Sequence, residues 1–448
     1  MDAFLEEYYR RNDPKTLKDC GDKYKMSMLS DKTILKIFDT MSIREQLDLS
    51  DSSDRLAKLF EIYGTEKYKV FDMKTLKDMH PKLVTRFFKK VGYLIRTLIG
   101  IITYHKREET ISYIVNYTTK IKTLRLWHSE VKVDNLHHMF LNNNSLIQHL
   151  SLVNCNLNDY SIVPILQLRA LRSLSIAYNK GITGKYLSEL RGLHLLDICG
   201  CVFFEAEKLL EIARLVYYLR VLNIQDCHCV DESLIDSLGT CALALEKLII
   251  TANTSEIYKA LPKLRPVTKF EIKCIEPPEP SFFKHLVSKK REVLESLVLR
   301  QNSGLTTETI KILSSLENLR EIYLGARCIY DKCGLKPFRK LGYLERIVIK
   351  NCICLNNEDV LFLIDHCTQL TELRIIKCPT VTALFFEPIM DRIKRSLKHQ
   401  IYKCSCGLTL GISTLNSQNH TCKYIYNNCD CDMFPVDDDF TKISNTIN

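Results

Sequence analysis

The sequence predicts an α/β solenoid of stacked strand-and-return units, and two observations predict it. From Ile121 to Cys378 the chain repeats one phrase, aliphatic-x-x-aliphatic-x-aliphatic. Its second anchors are Leu124, Leu150, Leu174, Leu196, Leu222, Leu248, Phe270, Leu297, Ile322, Ile347 and Leu373, spaced 22 to 27 residues apart. The second observation is a closing residue five places after the anchor, which is Cys155, Asn179, Cys201, Cys227, Asn253, Asn302, Cys352 or Cys378 in eight of the eleven units. Asn hydrogen-bonds free backbone groups well and a thiol does so weakly, so both suit a buried turn. Ser129, Ile275 and Arg327 break the rule.

A period in the twenties with this spacing marks a leucine-rich repeat, in which each unit is one short strand followed by a returning helix or turn. One unit cannot bury its own apolar face, so the units stack into a leucine-rich-repeat horseshoe with one continuous core. Strand side chains alternate. The anchor and the residue two beyond therefore face the core, and the residues at −1, +1 and +3 face the concave surface.

Taken in order, residues 1–26 form an N-terminal extension, and 27–65 a compact helical pattern. Ser30 or Asp31 caps a first helix whose apolar face is Ile34, Leu35, Ile37, Phe38 and Met41, and Ser42 caps a second carrying Leu47 and Leu49. Residues 66–90, basic and holding Pro81, are expected as a connector. The repeat domain spans 91–395, with a degenerate capping strand around Leu98, one 26-residue step before Leu124. Residues 396–448 form a Cys-rich and acidic tail.

The helical pattern resembles an F-box, the short motif that docks a substrate receptor onto the Skp adaptor of an SCF-type ubiquitin ligase. The resemblance runs from Leu29 to Leu59 and is carried by Leu29, Ile34, Leu35, Ile37, Phe38, Ile43 and Arg44-Glu45-Gln46-Leu47. F-box proteins of the leucine-rich-repeat class are also similar in their repeat length, in closing with cysteine, and in a run such as Cys367-Thr368-Gln369-Leu370-Thr371-Glu372-Leu373. The resemblance implies a non-catalytic substrate-recognition subunit. It would hold the Skp-type adaptor and its cullin scaffold through Leu29, Ile34, Leu35, Ile37, Phe38, Ile43 and Leu47, and a target through the repeats. The alternative is a protein-interaction scaffold with no ubiquitin link.

The register also maps a partner surface. From the sixth unit onward Lys247, Lys269, Lys273, Arg300, Arg346, Lys350 and Arg374 oppose Glu271, Glu321 and Glu372, which leaves a basic surplus. Arginine and aromatic residues dominate interface energetics, so Trp127, Arg300, Tyr323, Arg346, Lys350 and Arg374 are expected to meet a partner, acidic or phosphorylated in character. Nucleic acid is disfavoured because this patch lacks regular aromatic interleaving.

Composition bounds the rest. The chain of 448 residues is 46% hydrophobic and carries a net charge of +10. Its charged start argues against secretion, and its most apolar later stretch, Leu98 to Tyr104, falls short of the ~20 residues of a membrane helix. An odd count of 19 cysteines, many at the closing position, fits reduced thiols in the cytoplasm or nucleus. No glycine-rich phosphate loop or Ser-His-Asp motif stands out, so no enzyme activity and no cofactor are expected. One metal set is conceivable: Cys404, Cys406, His420 and Cys422 are dense enough to hold a structural zinc ion, although these pairs are Cys-x-Cys and zinc sites usually show Cys-x-x-Cys.

Overall fold

The computed structural model describes residues 29–102, 107–141, 146–325 and 334–382, and the backbone of strands at 400–403, 409–415 and 421–427. The described chain forms two compact units. The first is drawn from residues before 100 together with 108–121, and the second from 100–102, 122–382 and the later strands.

The first unit is helical with a short sheet. Helices α1 (Asp31–Thr40), α2 (Ile43–Ser50) and α3 (Asp54–Lys67) each begin at a serine whose side chain accepts a backbone N–H: Ser30, Ser42 and Ser53. Ser42 and Glu45 form a reciprocal capping box. Strand β1 (Val70–Asp72) leads to α4 (Pro81–Val91) and then to β2 (Thr97–Gly100), and β1 pairs in parallel with β2, Phe71 opposite Leu98. A fifth helix, α5, spans Arg107–Tyr117.

The stretch expected as a connector thus holds β1 and most of α4. Val84, Phe87, Phe88 and Val91 recur at helical spacing and are all buried, a signal hidden by the basic residues between them. They join a chain of aromatic rings: Phe38 to Phe60 at 5.4 Å, Tyr68 to Phe87 at 5.1 Å, Phe71 to Phe87 at 4.9 Å and Phe88 stacked on Tyr113 at 5.5 Å. Gln46, buried among them, donates from Nε2 to the carbonyls of Phe38 at 2.8 Å and Met41 at 3.0 Å, and accepts from the Tyr68 hydroxyl. It thereby satisfies carbonyls freed at the end of α1.

The second unit is a leucine-rich-repeat solenoid. Its strands are β3 (Thr123–Trp127), β4 (His149–Val153), β5 (Ser173–Ser175), β6 (Leu195–Asp197), β7 (Val221–Asn223), β8 (Lys247–Ala252), β9 (Lys269–Cys274), β10 (Ser296–Gln301), β11 (Glu321–Leu324), β12 (Arg346–Lys350) and β13 (Glu372–Ile376). All neighbours are parallel. Leu124 pairs with Leu150, Leu150 with Leu174, and so on through Ile347 with Leu373. The eleven anchors therefore form one unbroken row, and each is at most 1% exposed. Helices such as Ala206–Leu215, Glu232–Cys241 and Pro280–Lys290 and shorter 3₁₀ turns return the chain between strands.

The closing position works through a backbone device that the residue types alone did not show. The residue four after the anchor adopts positive φ in eight units: His128, Asn154, Tyr178, Gly200, Asp226, Gln301, Asn351 and Lys377. Position +4 would otherwise face the core, and the left-handed turn sends the next side chain inward instead. That side chain then donates to the preceding unit. Asn179 Nδ2 reaches the Leu152 carbonyl at 2.8 Å, Cys155 Sγ that of Leu126 at 3.6 Å, Cys201 Sγ that of Ile176 at 3.3 Å, and Cys227 Sγ that of Ile198 at 3.1 Å. Each acceptor lies two residues after an anchor, so Asn and Cys are interchangeable because they serve the same carbonyl.

Four units amend the sequence rule. Ser129 does close the first, accepting from the Ile102 N–H at 2.8 Å. In β8 and β9 the strand runs on without the turn, so Ala252 and Cys274 at +4 face inward, fully buried, while Asn253 and Ile275 are exposed. In the eighth unit Ser303 is the buried residue, and it donates to the Gly325 carbonyl at 3.1 Å. Arg327 lies outside the described residues.

Two further features complete this unit. Lys290, 1% exposed, donates to the carbonyls of Leu264, Arg265 and Val267, the last two at 2.9 and 2.8 Å. In the segment expected as a tail, β14 (Gln400–Lys403), β15 (Thr409–Leu415) and β16 (Thr421–Asn427) continue the sheet. The first two and β15 with β16 are antiparallel, and β16 pairs in parallel with β13, Tyr424 opposite Leu373.

Candidate protein-interaction surface

Side chains at −1, +1 and +3 stand on the open face of the sheet, away from the core. Their environment changes along the array. In the third and fourth units they are mostly small and crowded: Ser173, Ser175, Ala177, Leu195, Asp197 and Cys199 are all buried. The concave-facing register of Ser173, Ser175 and Ala177 implies exposed side chains, and their neighbours bury them instead. Asp197 accepts from Ser175 Oγ at 2.7 Å and from the Cys199 N–H at 3.1 Å. Burial raises its pKa, against the pull of these donors. Nearby, Lys273 reaches over an intervening strand to Asp226, at 2.8 and 2.9 Å to its two oxygens, and Thr251 Oγ1 donates to the same carboxylate at 2.9 Å.

From the sixth unit onward the face is a lattice of ion pairs. Glu271, 7% exposed in its side chain, receives Lys247 at 3.3 Å and Arg300 at 2.6 Å. Glu321 receives Arg346 at 3.0 Å and Ser296 Oγ at 2.9 Å, while Glu372 receives Arg346 at 2.8 Å and also Arg374. The Arg300 guanidinium lies over the Tyr323 ring at 5.2 Å. Carboxylates on the alternate strands β9, β11 and β13 thus sit between two donors each, at strand spacings that bring such groups within reach.

The sequence-predicted partner residues are placed as follows. Arg300, Tyr323, Arg346 and Arg374 do come together on one face, but as members of this lattice rather than as a freely presented basic patch. The predicted surplus is also reduced by two carboxylates the sequence map left out, Asp226 on Lys273 and Glu295 on Lys269 at 3.5 Å. Lys350 is half-buried, and Trp127 stands half-buried at the far end of the face in β3. The sequence signal for the lattice was present. Lys247, Glu271 and Arg300 lie roughly one repeat apart with alternating sign, which counting charges conceals.

Of the residues assigned to an adaptor, Ile34, Phe38 and Leu47 are 0% exposed in the core of the first unit, which leaves them no surface to offer. Leu29, Leu35, Ile37 and Ile43 are half-buried. Salt bridges brace these helices: Arg55 to Asp31 and Arg86 to Asp48, each at 2.5 Å, and Lys67 to Asp39 at 2.8 Å. Of the proposed zinc set, Cys404, Cys406 and His420 lie outside the described residues, and Cys422 falls in β16, where the backbone alone is described. Among the described residues no cluster of His, Cys, Asp and Glu could hold a metal, and no helix is long and apolar enough to cross a membrane.

No known family matches the chain, and no curated protein is similar to it. Similar solved structures exist. The yeast Rad7 and Elc1 complex matches at 15% identity over 86% of this chain and 94% of the other, with a TM-score of 0.44. An internalin from Listeria monocytogenes matches at 20% identity over 59% and 69%, with a TM-score of 0.34. The mouse RP105/MD-1 complex matches at 14% identity over 66% and 56%, with a TM-score of 0.36. At these scores the assignment of fold rests on the strand ladder itself.

Proposed function

We propose that the chain is a non-catalytic protein-binding solenoid, and that its helical unit docks it to the Skp-type adaptor of an SCF-type ubiquitin ligase as a substrate receptor. The observation that carries the protein-binding reading is the unbroken row of eleven paired anchors, since it presents one continuous open face of outward side chains. The adaptor reading is supported by the three serine-capped helices at the residues that resemble an F-box, with Leu29, Leu35, Ile37 and Ile43 at their surface. Such a receptor needs no catalytic group, because holding a target beside the transfer machinery raises its effective concentration. Cytoplasm or nucleus is the setting this role requires.

The test is co-purification with the full chain. Leu35→Asp with Ile37→Asp is expected to remove adaptor and cullin while leaving target binding and the melting temperature of the repeats unchanged. Absence of adaptor from the wild-type sample, or its retention by the double variant, leaves the plain interaction scaffold as the function.

A further inference from the structure

The exposed basic surface of the solenoid lies on its rim, at the strand starts of the third to sixth units. The residues two before each anchor are neighbours there. The Arg172 N–H donates to the Gln148 carbonyl at 2.8 Å, that of His194 to Arg172 at 2.7 Å, and that of Arg220 to His194 at 2.8 Å. Three places further back the chain carries Arg169, Arg191 and Tyr217. Arg169, Arg172, Arg191 and Arg214 are all exposed, and among the described residues none forms a salt bridge. Arg220 does pair, with Glu246 at 3.4 Å. This contrasts with the open face, where the cations are held by carboxylates.

The surface is continuous and partly apolar. Arg172 lies against Gly192, whose missing side chain leaves the guanidinium room beside Arg191. The His194 ring stacks on Tyr218 at 5.8 Å and 12°. Tyr217 and Tyr218 are 68% and 60% exposed, and Leu243 is 77% exposed. Tyr217 and Leu243 border a cleft of about 360 Å³ lined also by Ala213, Arg214, Val216, Leu219 and Ala242. A side chain as apolar and exposed as Leu243, beside a mostly aliphatic cleft and arginines outside any salt bridge, is the pattern of an anchor site with a charged border.

We propose that this rim docks an acidic protein segment that carries an apolar anchor residue. The anchor enters the cleft beside Leu243, and flanking carboxylates or phosphates meet Arg172, Arg191 and Arg214. This rests on the protein-binding reading above and gives it a place and a partner chemistry. Arginine and stacked rings also suit single-stranded nucleic acid. The cleft favours a peptide, because its walls are mostly aliphatic with Tyr217 the one ring among them, which suits an aliphatic side chain better than a stacked base.

The experiment is a selection of random twelve-residue peptides on the full chain, followed by fluorescence anisotropy of enriched peptides. Binding is compared among the wild type, Arg172→Glu with Arg191→Glu and Arg214→Glu, and Leu243→Asp. Enriched peptides are expected to combine Asp or Glu with Leu, Ile or Phe. Affinity should fall about 30-fold or more in the triple variant and about 10-fold in Leu243→Asp, with melting temperatures preserved. Peptides without acidic enrichment, or peptides bound equally by all three proteins, overturn the rim. If such peptides are released instead by changes at Trp127 and Tyr323, protein binding stands and only its location was wrong. Binding of a fifteen-nucleotide oligouridylate that the triple variant abolishes, without peptide binding at the rim, overturns it in favour of nucleic acid. A selection that yields no binder overturns it too.

Discussion

Arg300 Nε lies 2.6 Å from a Glu271 carboxylate that is 7% exposed, and Lys247 approaches its other oxygen at 3.3 Å. A buried carboxylate held between two cations is costly to strip of one of them, because the remaining charge has lost its compensation. Arg300→Ala is therefore expected to lower stability by about 1–3 kcal/mol. A double-mutant cycle with Glu271→Gln, followed by urea denaturation, measures the coupling; additive effects of the two changes would show that the pair contributes nothing. Simultaneous charge reversal at Arg300, Arg346 and Arg374 should lower the melting temperature, in contrast to what isolated exposed charges would do.

Asn179 and Asn253 occupy the same place in the sequence phrase and different places in the fold. Asn179 is 1% exposed, its Oδ1 accepting from the N–H groups of Cys155 at 2.9 Å and Leu157 at 3.0 Å. Asn253 is exposed. Asn179→Ala should cost about 2–4 kcal/mol by orphaning those groups, and Asn253→Ala within about 0.5 kcal/mol. Equal thermal shifts in the two variants would contradict the role given to the left-handed residue at +4.

Lys290 supplies a pH dependence. Burial pushes its pKa down to about 8 from the ordinary 10.5. Below pH 8 the amine is charged in both folded and unfolded chains, and the full cost of burying the charge is present. Between about 8 and 10.5 the folded chain releases the proton while the unfolded chain keeps it, so stability rises with pH across that window. Urea denaturation of the wild type and Lys290→Met at pH 7, 8, 9 and 10 should show the wild type gaining relative to the variant. A constant difference would mean that the three carbonyls hold the ammonium charged throughout.

The closing thiols should be inert in the folded protein. Burial pushes Cys155 up to about 11 and Cys201 up to about 12, so both stay protonated and donate to carbonyls. Alkylation by iodoacetamide at pH 7.5, read by peptide mass spectrometry, is expected to spare these two residues until urea unfolds the chain. Prompt modification of the native protein would place them at the surface.

The sequence by itself determined the strand ladder. An apolar residue at the anchor and another two beyond it can be buried only in one phase of a strand, so spacing and parity fixed the register of all eleven repeats. Helices α1 and α2 were legible in a similar way, from the serine caps Ser30 and Ser42 and from apolar spacing. Tertiary structure decided what depends on partners about one repeat away or on backbone angles. It moved the closing position from +5 to +4 in the sixth and seventh units, where residue +4 does not turn left-handed, and to +6 in the eighth, where Gln301 does turn but Ser303 is the buried residue. It paired the arginines of the open face with carboxylates on the same or neighbouring strands, and left Arg169, Arg172, Arg191 and Arg214 of the rim outside any salt bridge among the described residues. It also recruited Val84, Phe87, Phe88 and Val91 into an aromatic core, because their worth as a buried face exists only once Phe71 and Tyr68 are packed against them.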